Sequence, residues 1–111
     1  MSDCIFCKIV DGDIPSKKVY EDDSVLAFYD AHPKADTHIL VIPKQHIVNL
    51  YDVQAHQWPL VQQVLQSVQR IAEQENLVGY RLISNNGAQG GQEVFHMHWH
   101  ILAGDKLPGF Q

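Results

Sequence analysis

Three histidines at alternate positions near the C-terminal end of the chain, His96, His98 and His100, are the residues best suited to chemistry. An extended strand points residues i, i+2 and i+4 to the same side, so a strand would place the three imidazoles in one row. The apolar residues between them would then face the opposite side and pack on a hydrophobic core. The sequence therefore predicts a strand over residues 94–102 that displays three rings on the face away from that core.

A row of imidazoles supports two kinds of chemistry. Neutral imidazole is a common ligand of transition metals, and it attacks phosphorus when neighbouring groups donate to the phosphate oxygens. A glycine-rich loop at residues 85–92 directly precedes the predicted strand. Its glycines, Gly87, Gly90 and Gly91, would let backbone N–H groups approach an anionic ligand. The combination favours phosphoryl chemistry over a metal site or three solvated histidines.

Cys4 and Cys7 form a C-x-x-C pair near the N-terminus. In a reducing compartment this spacing is typical of a metal-binding or redox pair, and two small reduced core residues are the alternative. The N-terminus has no secretory pattern. No apolar run approaches the ~20 residues that span a bilayer. A cytoplasmic protein with no membrane partner is therefore expected.

The hydrophobic periodicity predicts one long helix and five strands. Apolar residues recur at intervals of three and four between about residues 55 and 75, which is one face of a helix. They are Leu60, Val61, Val64, Leu65, Val68, Ile71 and Ala72. Pro59 is tolerable only in the first turn, so the helix begins near Ala55 to Trp58. The secondary structure of residues 46–53 is not decided by the pattern. The strands are predicted over 18–21, 24–30, 38–42, 80–84 and 94–102, and a short helix or turn over 4–10.

The predicted order β-β-β-α-β-β contains no repeated βαβ unit. It indicates an α+β fold, in which a five-stranded antiparallel sheet carries the long helix on one face. At 111 residues the chain is expected to form one domain over 1–111. The net charge of −5 argues against a nucleic-acid polymer as partner, whereas a local site can still take a small phosphorylated ligand.

The run His96-Met97-His98-Trp99-His100-Ile101-Leu102 matches the signature His-φ-His-φ-His-φ-φ, with φ apolar, of the histidine-triad (HIT) superfamily. Residues 4–9, 26–30, 37–44 and 90–95 also resemble its branch of histidine-triad nucleotide-binding proteins. The resemblance covers about residues 4–103 and implies the HIT-like fold. In that branch the middle histidine forms a covalent nucleotidyl intermediate, usually with AMP, which water resolves.

The resemblance implies a role for each candidate site residue. His98 would be the nucleophile, His100 would contact the phosphate and help the leaving group, and His38 would hydrogen-bond towards the nucleophile, with His96 completing the catalytic set. The nucleotide-binding positions would be Asn85, Gly91, Gln92 and Glu93 for the phosphate, Asp30 for the ribose, and Phe6, Ile9 and Phe28 for the purine. Some family members carry serine at position 93. A carboxylate there would repel phosphate, so only the backbone N–H of Glu93 is assigned.

Certain members of the superfamily hold a structural zinc with a cysteine pair and two histidines. The matching positions are Cys4, Cys7, His46 and His96. Two thiolates and two imidazoles form a closed tetrahedral site, which suits structure and not catalysis. Catalysis itself would then need no cofactor. Members of this branch are homodimers whose sheets join, so a homodimer is expected here.

The function implied by the resemblance is that of a hydrolase or transferase for purine nucleoside phosphoramidates or AMP conjugates. Two alternatives stay open. One is a dinucleoside polyphosphate hydrolase, since that branch has the same triad. The other is a non-catalytic nucleotide- or zinc-binding module that acts through partners. His32 and His56 are interpreted as surface residues.

Overall fold

Five antiparallel strands form one sheet in a computed structural model that describes residues 3–109. The strands are β1 (Lys18–Glu21), β2 (Val25–Tyr29), β3 (Thr37–Pro43), β4 (Arg81–Ser84) and β5 (Trp99–Ala103), and the helices are α1 (Ile5–Val10) and α2 (Trp58–Gln74). The order across the sheet is β1-β2-β3-β5-β4. The predicted α+β architecture is confirmed. Within the described residues, neither helix has the length and apolar character to cross a membrane.

The long helix α2 covers one face of the sheet and forms the larger core. Its buried valines and isoleucine pack on Met97, which precedes β5, and on alternate strand residues, which are Val25, Ala27, Ile39, Val41, Trp99 and Ile101. Pro59 lies in the first turn as expected, and residues 55–57 form a separate 3₁₀ turn before the helix. Leu65 was predicted on the buried face, but it is 41% exposed.

The opposite face of the sheet, on which the three rings are predicted to lie, carries a hydrophobic cluster of its own. Phe6 and Ile9 of α1 pack there on a second cluster. The strand residues of this cluster are Leu26, Phe28, Leu40 and Ile42. Because β2 and β3 are apolar on both faces, both faces need a cover. The short helix α1 therefore lies on the same side of the sheet as the predicted site.

Strand β5 begins at Trp99, so the predicted strand over 94–102 is wrong in its N-terminal half. Trp99 pairs with Val41 of β3, and two residues further along β3 ends at Pro43. Proline has no N–H to donate, so the ladder stops there. The chain before Trp99 departs from β3, and the Met97 N–H donates to the carbonyl of Ile47 at 2.6 Å.

Candidate active site

His98 lies immediately before β5, under the edge of the Phe6 ring, with a centroid separation of 5.1 Å. Its Nδ1–H donates to the main-chain carbonyl of His96 at 2.8 Å, which leaves the lone pair on Nε2. Among the described residues, Oγ of Ser16 is the one buried side-chain nitrogen or oxygen without a partner. Nε2 of His98, which has no partner, is therefore not fully buried, although the residue as a whole is only 8% exposed.

A chain of hydrogen bonds fixes the tautomer of His100. The Lys34 N–H donates to Nδ1 of His38 at 3.1 Å, so the proton of the neutral His38 ring is on Nε2. That Nε2–H donates to Nδ1 of His100 at 2.9 Å. His100 consequently carries its own proton on Nε2. The prediction that His38 bonds towards the nucleophile is wrong, because His38 orients His100 and a backbone carbonyl orients His98.

The ring of His96 is turned away from the ring of His98, which corrects its placement in the catalytic set. His96 is fully buried, and its Nε2–H donates to the carbonyl of Pro43 at 2.8 Å. Its Nδ1 lies 3.3 Å from the sulfur of Cys4. The ring therefore has no route to a substrate, and His96 acts on His98 through its own main-chain oxygen.

Burial keeps the triad neutral near pH 7. It lowers the pKa of His96 to about 4, with a further lowering from the neighbouring rings of His46 and His98. Burial and the adjacent His98 and His38 rings also lower the pKa of His100 to about 4. Burial lowers the pKa of His98, opposed by its hydrogen bond to the His96 carbonyl. A neutral His98 has the free electron pair that nucleophilic attack needs.

These shifts predict that acid destabilises the fold through the histidines. A pKa below the unfolded value of 6.5 means that the unfolded chain binds more protons between about pH 6.5 and 4. The stability from His100 is therefore complete above about 6.5 and is lost as the pH falls towards 4. Urea unfolding at several pH values should show this slope. The variant His100→Asn should reduce it and the exposed-site variant His56→Asn should not; an unchanged slope in His100→Asn would contradict the assignment.

The residues predicted to form the purine slot come together beside the triad. The rings of Phe6 and Phe28 meet edge to face at 5.6 Å, and Ile9 belongs to the same cluster. All three are buried. Asp30 lies nearby, with Oδ2 3.5 Å from Nε2 of His38 and Oδ1 accepting the His32 N–H at 2.7 Å.

The glycine-rich loop closes on itself, contrary to the expectation that its glycine N–H groups face a ligand. Residues 88–90 form a 3₁₀ turn. The N–H groups of Gly90 and Gln92 both donate to the carbonyl of Gly87, and the N–H of Gly91 donates to the carbonyl of Ala88. The Gly87 N–H donates to the side chain of Gln92. These four N–H groups therefore donate to acceptors within the protein and are not free to bind a ligand.

The loop still leaves donors for a phosphate. Asn85 uses one amide hydrogen, donating from Nδ2 to the Gly90 carbonyl at 2.8 Å, and keeps the other. Among residues 3–109 the N–H of Glu93 has no acceptor. Gly91 has φ +89°, and a Cβ there would lie 3.3 Å from Nδ2 of Asn85. The absence of a Cβ at Gly91 thus leaves room for the Asn85 amide in this position.

A second cluster lies behind the triad, where Cys4, Cys7, His46 and His96 bring one ligand atom each within 4.8 Å of one another. The hydrogen bond to Pro43 leaves the lone pair of His96 on Nδ1, beside the sulfur of Cys4. Nδ1 of His46 lies 3.4 Å from the sulfur of Cys7. Burial and Cys4 raise the pKa of Cys7 to about 11, so a bound cation would be needed to hold a thiolate there.

A neighbouring group of potential ligands, Asp30, His38 and His100, has atoms just as close together. Its hydrogen bonds argue against a metal, however. Coordination through Nε2 of His38 would move the ring proton to Nδ1, where it would meet the Lys34 N–H. The cysteine cluster has lone pairs available for a metal. In the group with Asp30, by contrast, the lone pairs on the rings of His38 and His100 already accept hydrogen bonds within the protein.

Two residues that sequence reasoning did not single out support the site. Asn49 is buried and donates to Oε1 of Gln92 at 3.0 Å, and Pro43 supplies the carbonyl that fixes the His96 ring. Asparagine in a loop and proline at the end of a strand are both common, so the sequence carries no signal for either role. His32 and His56 are exposed, as expected.

The fold and the site define a protein that presents a neutral, oriented histidine beside a loop with free polar donors. Residues 11–107 match the HIT domain family model, and the chain belongs to that family. An uncharacterised HIT-like protein of Synechococcus elongatus is 50% identical over 95% of this chain and 93% of its own length. The purine nucleoside phosphoramidase of Escherichia coli is 47% identical over 93% of this chain and 88% of its own length.

Solved structures give the same assignment. A histidine triad protein from Clostridium difficile is 50% identical and superposes with a TM-score of 0.94, with 100% of this chain and 98% of that chain covered. A HIT family hydrolase from Legionella pneumophila is 44% identical with a TM-score of 0.90, covering 94% of this chain and 95% of its own. The HIT-like fold predicted from the histidine run is confirmed.

Proposed function

We propose that this protein is a hydrolase, or nucleotidyl transferase, of purine nucleoside phosphoramidates or AMP conjugates, and that it acts through a covalent bond between His98 and the α-phosphate. The observation that carries the proposal is the state of His98. Its Nδ1–H is held by the His96 carbonyl, while Nε2 makes no hydrogen bond within the described residues and burial lowers its pKa. Such a nitrogen is both deprotonated and fixed in direction.

In the first step Nε2 of His98 attacks the α-phosphorus, the N–P bond to the enzyme forms, and the bond to the leaving amine breaks. The amine takes its proton from water. The phosphorylated ring becomes an imidazolium that still carries a proton on Nδ1, and the His96 carbonyl accepts that hydrogen bond. In the second step water attacks phosphorus and loses a proton, which neutralises the hydroxide left by the first step; the N–P bond breaks, His98 leaves as the neutral ring, and the nucleotide is released.

His100 would stabilise the phosphate as a hydrogen-bond donor. Its pKa of about 4 means that it is not a cation near pH 7. It donates through Nε2–H because His38 holds its other nitrogen. A neutral donor with a fixed direction stabilises charge that develops on a phosphate oxygen without reorganising. The side chain of Asn85 and the N–H of Glu93 would add further donors.

The substrate class rests on the side chains beside the triad and on the relatives. The apolar edges of Phe6 and Phe28 suit a purine ring, and the Asp30 carboxylate suits ribose hydroxyls. The relative from Escherichia coli is named a purine nucleoside phosphoramidase. Mass spectrometry of protein quenched during turnover of adenosine phosphoramidate should find an adenylyl group on His98. Rapid turnover without that adduct would overturn the covalent route, and faster turnover of diadenosine polyphosphates would favour the alternative substrate class.

We also propose a structural zinc ion at Cys4, Cys7, His46 and His96, and the donor set supports it because thiolate and imidazole are the preferred ligands of structural zinc. The ion would tie α1 to the sheet. Elemental analysis should find about one zinc per chain, and Cys4→Ser should lose the zinc and lower the thermal midpoint. The variant His56→Ala should keep both. Full thermal stability without any zinc would contradict the proposal.

A homodimer is proposed from the exposed side of α2. A shallow groove of about 490 Å³ there is lined by Trp58, Val61, Gln62, Leu65, Gln66 and Gln69, with no charged side chain. The edge strand β4 is paired on one side only, so it can extend the sheet into a second copy. Light scattering should give twice the chain mass, and Leu65→Lys should give one chain mass. A monomeric wild-type protein would refute the proposal.

A further inference from the structure

The side chain of Gln92 is bonded on every side, although it lies in the irregular segment between β4 and β5. Its Oε1 accepts from Nδ2 of Asn49 at 3.0 Å and from the N–H of Gly87 at 2.9 Å. Its Nε2 donates to the carbonyls of Val48 at 2.7 Å and Val94 at 3.1 Å. A carboxamide has two donor hydrogens and two acceptor lone pairs. All four are used, so this side chain has nothing left with which to bind a phosphate.

The four partners belong to three separate parts of the chain. One part precedes the 3₁₀ turn at Leu50–Asp52, one is the glycine loop, and one leads into the histidine triad. The backbone N–H of Gln92 also donates to the carbonyl of Gly87, which closes the loop. Backbone outside helices and strands must find its hydrogen bonds elsewhere. Here one side chain, only 4% exposed, satisfies a backbone group in each of the three parts.

The peptide held most directly by this arrangement is the one at Glu93. Gln92 is fixed through its backbone and side chain, and the carbonyl of Val94 is fixed by the same carboxamide. The Glu93 N–H between them is free within the described residues. Two residues after Val94, the carbonyl of His96 holds the nucleophile. A shift in this segment would therefore displace a phosphate donor and the acceptor that orients His98.

We propose that Gln92 is a positioning residue for phosphoryl transfer, which acts without touching the substrate by holding the segment from the glycine loop to the triad in its reactive geometry. The proposal rests on the proposed function of His98. It replaces the expectation that the Gln92 side chain holds the phosphate. A group that sets geometry affects the chemical step more than ground-state binding.

The test is Gln92→Glu, which has nearly the same shape. Its carboxylate keeps an acceptor for Asn49 and Gly87 but turns a second oxygen towards the carbonyls of Val48 and Val94. We expect kcat for adenosine phosphoramidate to fall at least about tenfold, while KM and AMP affinity change less than about threefold. Hydrogen exchange should accelerate for amides 87–94 and stay unchanged in α2.

Two controls separate positioning from other effects. Gln63→Glu places the same charge at an exposed glutamine of α2, and Ile71→Val weakens the core without touching the site; both should keep the wild-type kcat. If Gln92→Glu does not fold, Asn49→Ala decides the matter, since it removes one of the four bonds. It should lower kcat at least about threefold, with faster exchange at 87–94.

Three results would overturn the proposal. The first is a folded Gln92→Glu with kcat within twofold of Gln63→Glu. The second is a loss confined to KM and AMP affinity, which would mean that the side chain binds the ligand. The third, where Gln92→Glu does not fold, is an unchanged kcat in Asn49→Ala. Failure of the proposed function is separately visible, because the wild-type protein would then show no turnover or no adduct on His98.

Discussion

Replacing His98 with alanine is expected to lower kcat for adenosine phosphoramidate by about 10³-fold or more, since the attacking atom is removed. AMP should still bind within about threefold of the wild-type affinity, because under the proposed function other residues would make the ribose and purine contacts. The His98 ring contacts Phe6, so a small fall in stability is expected. Steady-state kinetics and calorimetric titration with AMP measure the two effects separately.

The matched control is His56→Ala, which removes an exposed histidine from the turn before α2. It should leave turnover and AMP affinity unchanged. A His98→Ala protein that retains a tenth or more of the wild-type kcat would show that another group attacks phosphorus. A wild-type protein that binds AMP without hydrolysing phosphoramidates or polyphosphates would instead favour the non-catalytic alternative.

The features that the sequence predicts best are those whose signals are local, the alternate histidines and the long helix. A period of two over residues 96–100 places alternate side chains on one side whether or not the segment is hydrogen-bonded as a strand. The apolar residues between the histidines do belong to the core under α2. The period of the α2 residues likewise predicted the long helix, whose start follows from Pro59.

The hydrogen bonds that join distant segments of the chain could not be predicted from the sequence. His38 and His100 are 62 positions apart and are neighbours because Leu102 pairs with His38 across β3 and β5. The residue types alone allow His38 to bond to either of the other rings. The exposed Leu65 shows the same limit, because the helical period identifies the apolar face of the helix but does not show which residues at the edge of that face are buried.

The late start of β5, at Trp99 and not at Val94, shows how one residue decides an element boundary. Alternation continues through residues 94–98, so pattern alone extends the strand to Val94. The partner strand ends at Pro43, which has no N–H for the ladder. Its free carbonyl accepts from His96 instead. The same proline thus ends β3 and anchors His96, whose carbonyl orients His98.

That anchor leads to a second large expected effect: His96→Ala should lower the free energy of unfolding by about 2–5 kcal/mol. The ring is fully buried, and its removal leaves a cavity between Phe6 and His46, whose rings lie 5.9 and 5.0 Å away. The Pro43 carbonyl also loses its donor. Urea unfolding followed by fluorescence measures the loss. The neighbouring variant Phe95→Ala, at a 49% exposed side chain, should change stability by less than about 1 kcal/mol.

The kinetics of the same variant separate positioning from catalysis. Alanine at 96 keeps the main-chain carbonyl that accepts from Nδ1 of His98, so well below its unfolding temperature the protein should retain far more turnover than His98→Ala. Adduct formation on His98 should remain detectable. Equal loss of kcat in the two variants would mean that the His96 ring takes part in the chemistry. A change in unfolding free energy no larger than that of Phe95→Ala would mean that the bond to Pro43 does not anchor the triad.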